Sequence, residues 1–589
     1  MKMKKLYSIS ISLIGVLINT CLFGQQVQVT SPYFQNPELL IDFADDCAKF
    51  WSGVHDPTYG GFYTFVNKEG NATNTSEKHL VSLSRDAYGM TRAFMLTGNE
   101  EYLQMASSSL DFIDNHLWDE NYGGWHRSSN RSGSSPRTGD KTAFDQHYAL
   151  LGNAAFYEAT RSSNTWNVIE KGLDHMNEVY WDDRTEYLGY FHKTNTQSEN
   201  PNGKSFNSTV DAITTHLYPL YLTTGDQQYL DRLNILKSNM IEYLVGSMDQ
   251  SVIGFAEEFD SEWNIDHSQN RTIMGHVLKT AWCLGRIHRI DQDNNAINAA
   301  EVLIDDVLQN GYDHIYGGPF KDYDRTNGQM MMYGISDKAK AWWQMEQAIT
   351  SGFILFDITK DEKYLQMTEE SLDFFMDYFV DPTYGEIYAD RAQNGSKIPQ
   401  WGEDKGNDWK AAYHSIETAY YAYLYSQLLL KQEGASLYYN IEASNTEREL
   451  LMNPLAIDFD KLKIQSVSLN GENFTDFNRD TRIVTLPANV EGKLKVTYIM
   501  EGLAPISVID PLSSPTVTNN ISIFPNPTKD VLFIESKTSN TSYRVLNILG
   551  NLEMSGTLNK LRDQINVSSL KSGIYFLQVD DTTIRFIKE

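Results

Sequence analysis

Four copies of a turn ending in Tyr-Gly constrain this chain more than any other feature. Asp56-Pro57-Thr58-Tyr59-Gly60-Gly61, Asp119-Glu120-Asn121-Tyr122-Gly123-Gly124, His314-Ile315-Tyr316-Gly317-Gly318 and Asp381-Pro382-Thr383-Tyr384-Gly385 recur between residues 35 and 432. A second punctuation alternates with them: Thr97-Gly98-Asn99 before Tyr102-Leu103, Thr224-Gly225-Asp226 before Tyr229-Leu230, and Thr359-Lys360-Asp361 before Tyr364-Leu365. The stretches between carry apolar residues at helical spacing, as in Leu110, Ile113 and Leu117 or Leu372, Phe375 and Tyr378. Asp, Asn and Thr stand where N-caps are needed, and the Gly pairs end the preceding element. A helical hairpin cannot bury its apolar face alone, so repeats of this size stack or close into a ring. Roughly six hairpins fit, which favours a closed (α/α)6 toroid over an open solenoid. The Tyr-Gly-Gly loops would then crowd one mouth.

Beyond Gln432 the periodicity changes to two. Residues 436–510 read as a small all-β module with turn signals such as Asn470-Gly471, and 511–518, rich in Ser and Pro, as a linker. Residues 519–589 form a further β segment. At the other end, Met1-Lys2-Met3-Lys4-Lys5 precedes an apolar run from Leu6 to Phe23, the pattern of a secretory signal peptide over residues 1–24. The run is short for a membrane anchor, and no later segment resembles a span. Cys47 and Cys283, both in apolar helical stretches, are expected to be buried, and two cysteines make neither a disulfide framework nor a metal cluster. A net charge of −28 argues against nucleic acid or an anionic membrane as partner. It leaves the local potential of a pocket open. No phosphate-cradling loop or ligand cluster implies a nucleotide or metal cofactor.

The tail contains Ile521-Ser522-Ile523-Phe524-Pro525-Asn526-Pro527, Leu532-Phe533-Ile534, Tyr543-Arg544-Val545-Leu546-Asn547, Ile565-Asn566-Val567-Ser568-Ser569-Leu570 and Ser572-Gly573-Ile574-Tyr575. In this order the segments resemble the C-terminal sorting domain of the type IX secretion system, which implies a small β-sandwich, the secretion machinery as partner, and a secreted or cell-surface location.

The toroid resembles the N-acylglucosamine 2-epimerase family, which includes cellobiose 2-epimerases and aldose–ketose isomerases. The resemblance is carried by Arg85, by Lys141 with Phe144-Asp145-Gln146, by Lys204-Ser205-Phe206-Asn207, by Gly275-His276, by Lys340-Ala341-Trp342-Trp343-Gln344-Met345-Glu346, and by Trp409-Lys410-Ala411-Ala412-Tyr413-His414. It implies an enzyme that removes a proton α to a sugar carbonyl, with His276 and His414 matching the family's acid/base histidines. Histidine suits that task because its pKa lies near neutrality. Arg85 is either a substrate-binding cation or a bridge to a loop carboxylate. Of Trp342 and Trp343, one is expected to stack on a sugar ring and the other to fill space between hairpins. Glu346, one turn after Trp342 on the same face, is expected to reach the mouth. Tyr413 joins the substrate-binding set.

Two departures from the family pattern stand out. After Lys-Ser-x-Asn the family carries a histidine where this chain has Asp211 or Thr209, with His216 one turn further on as a substitute. Where the family has Gly-His-x-x-Glu, this chain has Gly275-His276-Val277-Leu278-Lys279. A cation at 279 suits an anionic substrate such as a uronic acid, with Arg271 as a possible helper. It would also stabilise enolate charge during β-elimination. The alternative reading of Lys279 is a structural ion pair. Exported enzymes of polysaccharide degradation, among them dehydratases of ulvan-type oligosaccharides, resemble this toroid as well. The expectation from sequence is therefore elimination on uronate-containing oligosaccharides. The alternatives are sugar 2-epimerisation or aldose–ketose isomerisation, a glycoside hydrolase using carboxylates such as Asp211 and Glu346, and a noncatalytic glycan-binding protein.

Overall fold

The computed structural model describes residues 29–331 and 338–503, and in the tail 521–524, 526–536, 540–547, 551–560, 562–579 and 582–588. The segments expected to be a signal peptide and a linker lie outside the described residues.

Six helical pairs close into a ring. The outer helices are α1 (Glu38–Ser52), α3 (Glu100–His116), α5 (Ser163–His175), α7 (Gln227–Asn239), α9 (Asn294–Asp306) and α11 (Glu362–Phe374). The inner ones are α2 (Leu80–Thr97), α4 (Ala143–Thr160), α6 (Phe206–Ala212 continuing through Ile213–Leu217 and Tyr218–Thr224), α8 (Met274–Ile290), α10 (Trp342–Thr359) and α12 (Tyr413–Tyr425). Burial follows this division: α2 is buried on every face from Leu80 to Leu96, whereas α3 buries only one stripe. Helix α12 packs against both α1 and α2, which closes the ring. The seam is tight at Gly89 of α2, where a Cβ would lie 2.4 Å from the Ala412 carbonyl oxygen.

The Thr-Gly-Asn type of turn does what its residues suggest. Gly98 and Gly225 adopt left-handed backbone at the inner helices' C-termini. Asn99, Asp226 and Asp361 then cap the next outer helix with their side chains.

The Tyr-Gly turns carry a bolt that repetition alone does not announce. In the four Tyr-Gly turns, and in a related turn from Asp182 to Gly189, an aspartate forms a buried ion pair with a lysine just before the following inner helix or in its approach. The pairs are Lys78–Asp56 at 2.9 Å, Lys141–Asp119 at 2.7 Å, Lys204–Asp182 at 3.0 Å, Lys340–Asp313 at 2.8 Å and Lys405–Asp381 at 2.8 Å. Each ammonium also donates to a glycine carbonyl of the same turn, as Lys141 does to Gly123 and Lys340 to Gly317. Such buried pairs add little net stability, but losing one partner would leave an uncompensated charge. They tie down the turns before five of the six inner helices, all but α8.

After Lys431 the chain forms β-strands. Ala435–Ile441, Gly492–Met500, Leu462–Leu469 and Glu472–Phe474 make one antiparallel sheet, and Arg448–Leu451, Ile483–Leu486 and Phe477–Asn478 a second. This module shares one hydrophobic core with the toroid. It sits at the C-terminal ends of the inner helices: Arg161 donates to the Leu451 carbonyl at 2.8 Å, the Ala456 amide donates to Tyr218 Oη at 2.8 Å, and Tyr438 rests on Gly98. The module thus seals the end opposite the mouth. The tail, Ile521 to Lys588, folds as two antiparallel sheets around a core of its own that includes Leu532, Val545 and Leu577. Cys47 and Cys283 are buried and free. Among the described residues, no helix is long and apolar enough to cross a membrane.

Candidate active site

A cavity of about 380 Å³ opens at the mouth where the inner helices begin. Of the residues singled out in the sequence, Arg85, Asp211, His276, Lys279, Trp342 and His414 line it, together with Arg271 and Trp343. Both tryptophans line the cavity, so position alone does not divide them into one ring that stacks on a sugar and one that only fills space. Gly275 explains the position of Trp343: a Cβ there would lie 2.5 Å from the indole, so only glycine lets α10 approach the start of α8 so closely.

His276 stacks on Phe206, ring centres 3.8 Å apart and planes 15° apart. Its Nδ1 lies 2.7 Å from the Glu257 carboxylate. A carboxylate on one nitrogen fixes the ring's orientation and tautomer and leaves Nε2 basic for the pocket. Glu257 also accepts from the Ile273 amide at 3.0 Å, so the pair is anchored to the entry of α8. Nothing in the sequence marked Glu257, because the loop that carries it joins α8 only in three dimensions.

His414 is buried, with Nδ1 3.4 Å from Glu346 Oε2 and 4.0 Å from Glu417 Oε2 and no hydrogen bond to either. Burial first, then the charges of Arg85, Lys279 and Lys410, hold its pKa well below the ordinary value, so its imidazole is neutral. Burial, followed by repulsion from Glu417, drives the Glu346 carboxyl well up, and burial raises Glu417 as well. Thr350 donates to Glu346 at 2.7 Å and Tyr88 to Glu417 at 2.8 Å. Glu346, His414 and Glu417 bring three ligand atoms within 4.8 Å of one another, the only such group among the described residues. With both carboxyls shifted toward protonation and the Lys279 and Arg286 charges beside them, the group suits proton sharing better than a cation.

Glu346 does not reach the mouth as its helical position suggested. It is fully buried behind His414, held by Thr350 and its neighbour Gln347. Tyr413 also sits one layer back, edge-on to Tyr88 at 4.7 Å and beneath Arg85 at 5.5 Å. Arg85 bridges to no carboxylate: its guanidinium lies 4.5 Å over Tyr148 and donates to the Trp409 carbonyl. His216 is buried against His147, ring centres 5.3 Å apart, and takes no part in the cavity lining.

The two departures meet. Lys279 Nζ donates to Asp211 Oδ1 at 2.6 Å, and Asn207 donates to the other oxygen at 2.8 Å. Burial opposes the lysine's charge, but Asp211 outweighs it and holds the ammonium protonated. The aspartate stands at the end of the first segment of α6, where the helix widens into the π-type stretch Ile213–Leu217. Lys141, Lys204 and Lys340, three carriers of the family resemblance, prove to be loop bolts outside the pocket.

Comparison with known proteins agrees with this architecture. Residues 60–416 match the N-acylglucosamine 2-epimerase family, and residues 522–589 match the secretion system C-terminal sorting domain. The chain is 21% identical over 388 residues to a cellobiose 2-epimerase of Ruminococcus albus, covering 64% of this chain and 95% of the relative. It is 20% identical over 405 residues to a D-mannose isomerase of Marinomonas mediterranea, covering 66% and 97%. Among solved structures, a D-mannose isomerase superposes with a TM-score of 0.60 at 19% identity, covering 67% of this chain and 99% of that one. The cellobiose 2-epimerase of Spirochaeta thermophila gives 0.58 at 20% identity, covering 67% and 96%. These relatives span the toroid and leave the sealing β-module and the tail as additions. The chain belongs to the N-acylglucosamine 2-epimerase family and ends in a secretion system C-terminal sorting domain.

Proposed function

We propose that this is an exported enzyme that moves protons on carbon in a sugar bound between His276 and His414, in the manner of a 2-epimerase or aldose–ketose isomerase. The observation that carries this reading is the presence of two imidazoles in one cavity, each beside a carboxylate or carboxyl group. One imidazole takes the C2 proton of the open-chain sugar, and the electron pair moves through C1 to the carbonyl oxygen, giving an enediolate at O1. A proton delivered to C2 from the opposite face, as the O1 electrons re-form the carbonyl, gives the epimer; for the ketose, O1 takes a proton, the O2 hydroxyl gives one up, and the proton on carbon goes to C1. His276, oriented by Glu257, acts as one base. His414, held neutral, is the other, with the raised Glu346 as its proton partner. Arg85 and the tryptophans position the ring. The relatives' printed activities support this reading, and the sorting tail supports export.

A second reading is favoured by Arg85, a guanidinium in the cavity lining that bridges to no carboxylate and so suits a uronate. Lys279 is not free for that role, because Asp211 neutralises it at 2.6 Å, in line with its alternative reading as a structural ion pair. One histidine would then take the C5 proton, the electrons would form a C4–C5 double bond, and the C4–O bond would break. The departing oxygen, as water or as a sugar chain, would take its proton from the other histidine.

One incubation in heavy water, with neutral reducing disaccharides and uronate oligosaccharides in parallel, separates the two. Deuterium at C2 of a recovered aldose, or at C1 of a ketose product, supports epimerisation or isomerisation. Ultraviolet absorbance of an unsaturated uronate without such labelling replaces that reading by elimination. Neither signal over the whole panel would overturn proton transfer as the function.

A further inference from the structure

A second depression, of about 420 Å³, lies directly beside the reaction cavity. The two are separated by a thin ridge. Phe144 and Trp409 line the reaction cavity, while their chain neighbours Asp145 and Asp408 line the second depression. The ridge is aromatic: the Phe144 and Trp409 rings meet at 5.5 Å, and Trp409 is 43% exposed, open to a ligand crossing it. The Arg127 guanidinium rests 5.0 Å from the Trp409 ring centre.

The lining is supplied with polar groups that the fold leaves unused. Asp145 is 3% exposed and accepts from Thr142 through Oδ2, while its Oδ1 has no partner. Asp408 Oδ1 and both ring nitrogens of the buried His79 likewise make no hydrogen bond, although His79 and Asp408 approach to 3.3 Å. Buried polar atoms without partners are costly and uncommon, and a ligand that supplies the missing donors removes the cost. At the rim, Arg127 and Arg137 are exposed and make neither an ion pair nor a side-chain hydrogen bond among the described residues. Arg127, resting on the Trp409 ring and near enough to Asp145 to act on its charge, and Arg137 in the same lining bring two guanidiniums to the depression, each of which suits a planar or tetrahedral oxyanion.

We infer that this depression is an additional glycan subsite, which holds the sugar unit next to the one that reacts and reads an anionic substituent on it, a carboxylate or a sulfate ester, through Arg127 and Arg137. The chain of sugars crosses over Trp409, its hydroxyls donate to Asp145 and Asp408, and the substrate is an oligosaccharide longer than the cavity alone could hold. The inference rests on the reading of the cavity as a sugar site, but not on which reaction occurs there.

The test compares wild type with the Arg127→Ala/Arg137→Ala double variant, both as the full chain. Calorimetric binding is measured for glucuronate oligomers of two and four residues, sulfated oligosaccharides of the same lengths, and neutral cello-oligosaccharides. Wild type should bind the acidic tetramer roughly tenfold or more tightly than the acidic dimer, with a preference that weakens in salt, and the variant should lose that preference. Which acidic series shows it distinguishes carboxylate from sulfate. An unchanged tetramer-to-dimer ratio in the variant, an equal gain for neutral tetramers, or no binding of any oligomer overturns the subsite. Arginine-dependent tetramer binding without turnover retains the subsite and counts against the proposed reaction instead. Both arginines are exposed, so the double variant should fold; Arg127→Lys/Arg137→Lys, which keeps the charge and removes the planar guanidiniums, should fall between the two.

Discussion

Lys279 and Asp211 face each other at 2.6 Å in the lining of the reaction cavity, from α8 and α6, two inner helices that the sequence separates by 68 residues. Each looks like a departure from the family when read alone. Together they are a compensated pair, since a buried cation on one helix requires an anion on the other. Removing one partner leaves an unpaired buried charge. Lys279→Met or Asp211→Asn alone should cost about 3–5 kcal/mol of stability, and the double variant should recover most of it. Urea denaturation of the four proteins measures the coupling. Additive losses would mean that the two residues act independently.

Glu257 is expected to matter for rate rather than for folding. His276→Ala should lower kcat by about two to four orders of magnitude, as loss of a general base does. Glu257→Gln, which keeps a hydrogen-bond partner but removes the charge behind the ring, should lower kcat less and leave KM nearly unchanged. A change in KM alone would place Glu257 in substrate binding instead. Circular dichroism of both variants guards against misfolding.

Acid should unfold this protein through its buried histidines. Burial pushes His147 and His175 down to about 4, and takes His216 and His414 well below the ordinary value. All four are neutral in the fold, whereas the unfolded chain takes up protons below about pH 6.5. Their contribution is therefore complete above that value and declines as pH falls from there toward the depressed folded values. For His147, which is fully buried, the loss amounts to roughly 3 kcal/mol over that window. Carboxyls raised by burial, such as Asp114 at about 7 and Glu346, act with the opposite sign over this range, so the readout is the difference between wild type and His147→Gln. Urea midpoints of wild type should fall relative to those of His147→Gln as pH drops from about 6.5 toward 4, and a difference independent of pH would contradict the neutral, buried state of His147.

Ring closure should be sensitive to one methyl group. At Gly89 a Cβ would come within 2.4 Å of the Ala412 carbonyl oxygen, backbone that cannot rotate away. Gly89→Ala should destabilise by about 1–3 kcal/mol despite alanine's better helix propensity. Gly402, around which no atom would crowd a Cβ, has no such contact to lose, although its positive φ adds local strain. Thermal denaturation of Gly89→Ala at or above the wild-type midpoint would show that α2 and α12 can separate freely at the seam.

Repetition made the toroid legible. Turn residues that impose left-handed backbone, caps that start helices, and an apolar stripe of fixed period are all local properties, and a closed ring follows once about six such units must bury their faces. The tail was legible for a similar reason, as a series of short segments in fixed order. His276, Lys279, Arg85, Asp211, Trp342 and His414 could be named in advance from the family resemblance and the departures from it, and the fold places all six in the first two turns of inner helices, at the mouth. What sequence could not supply was depth and partnership. Glu346 shares a helical face with Trp342, which lines the cavity, and Tyr413 precedes His414, yet both lie behind the lining, since facing the axis and reaching the surface are different conditions in a packed ring. Glu257 joins His276 from a loop without a motif, and the five lysine–aspartate bolts join residues about 20 positions or more apart that only loop closure brings into contact. The sequence determined the helical units, their count and the chemistry available at the mouth, because these depend on neighbours along the chain. Which groups share a proton, which cancel a charge and which a ligand can touch was decided by the tertiary structure, because electrostatics and burial depend on distances between helices that no local pattern encodes.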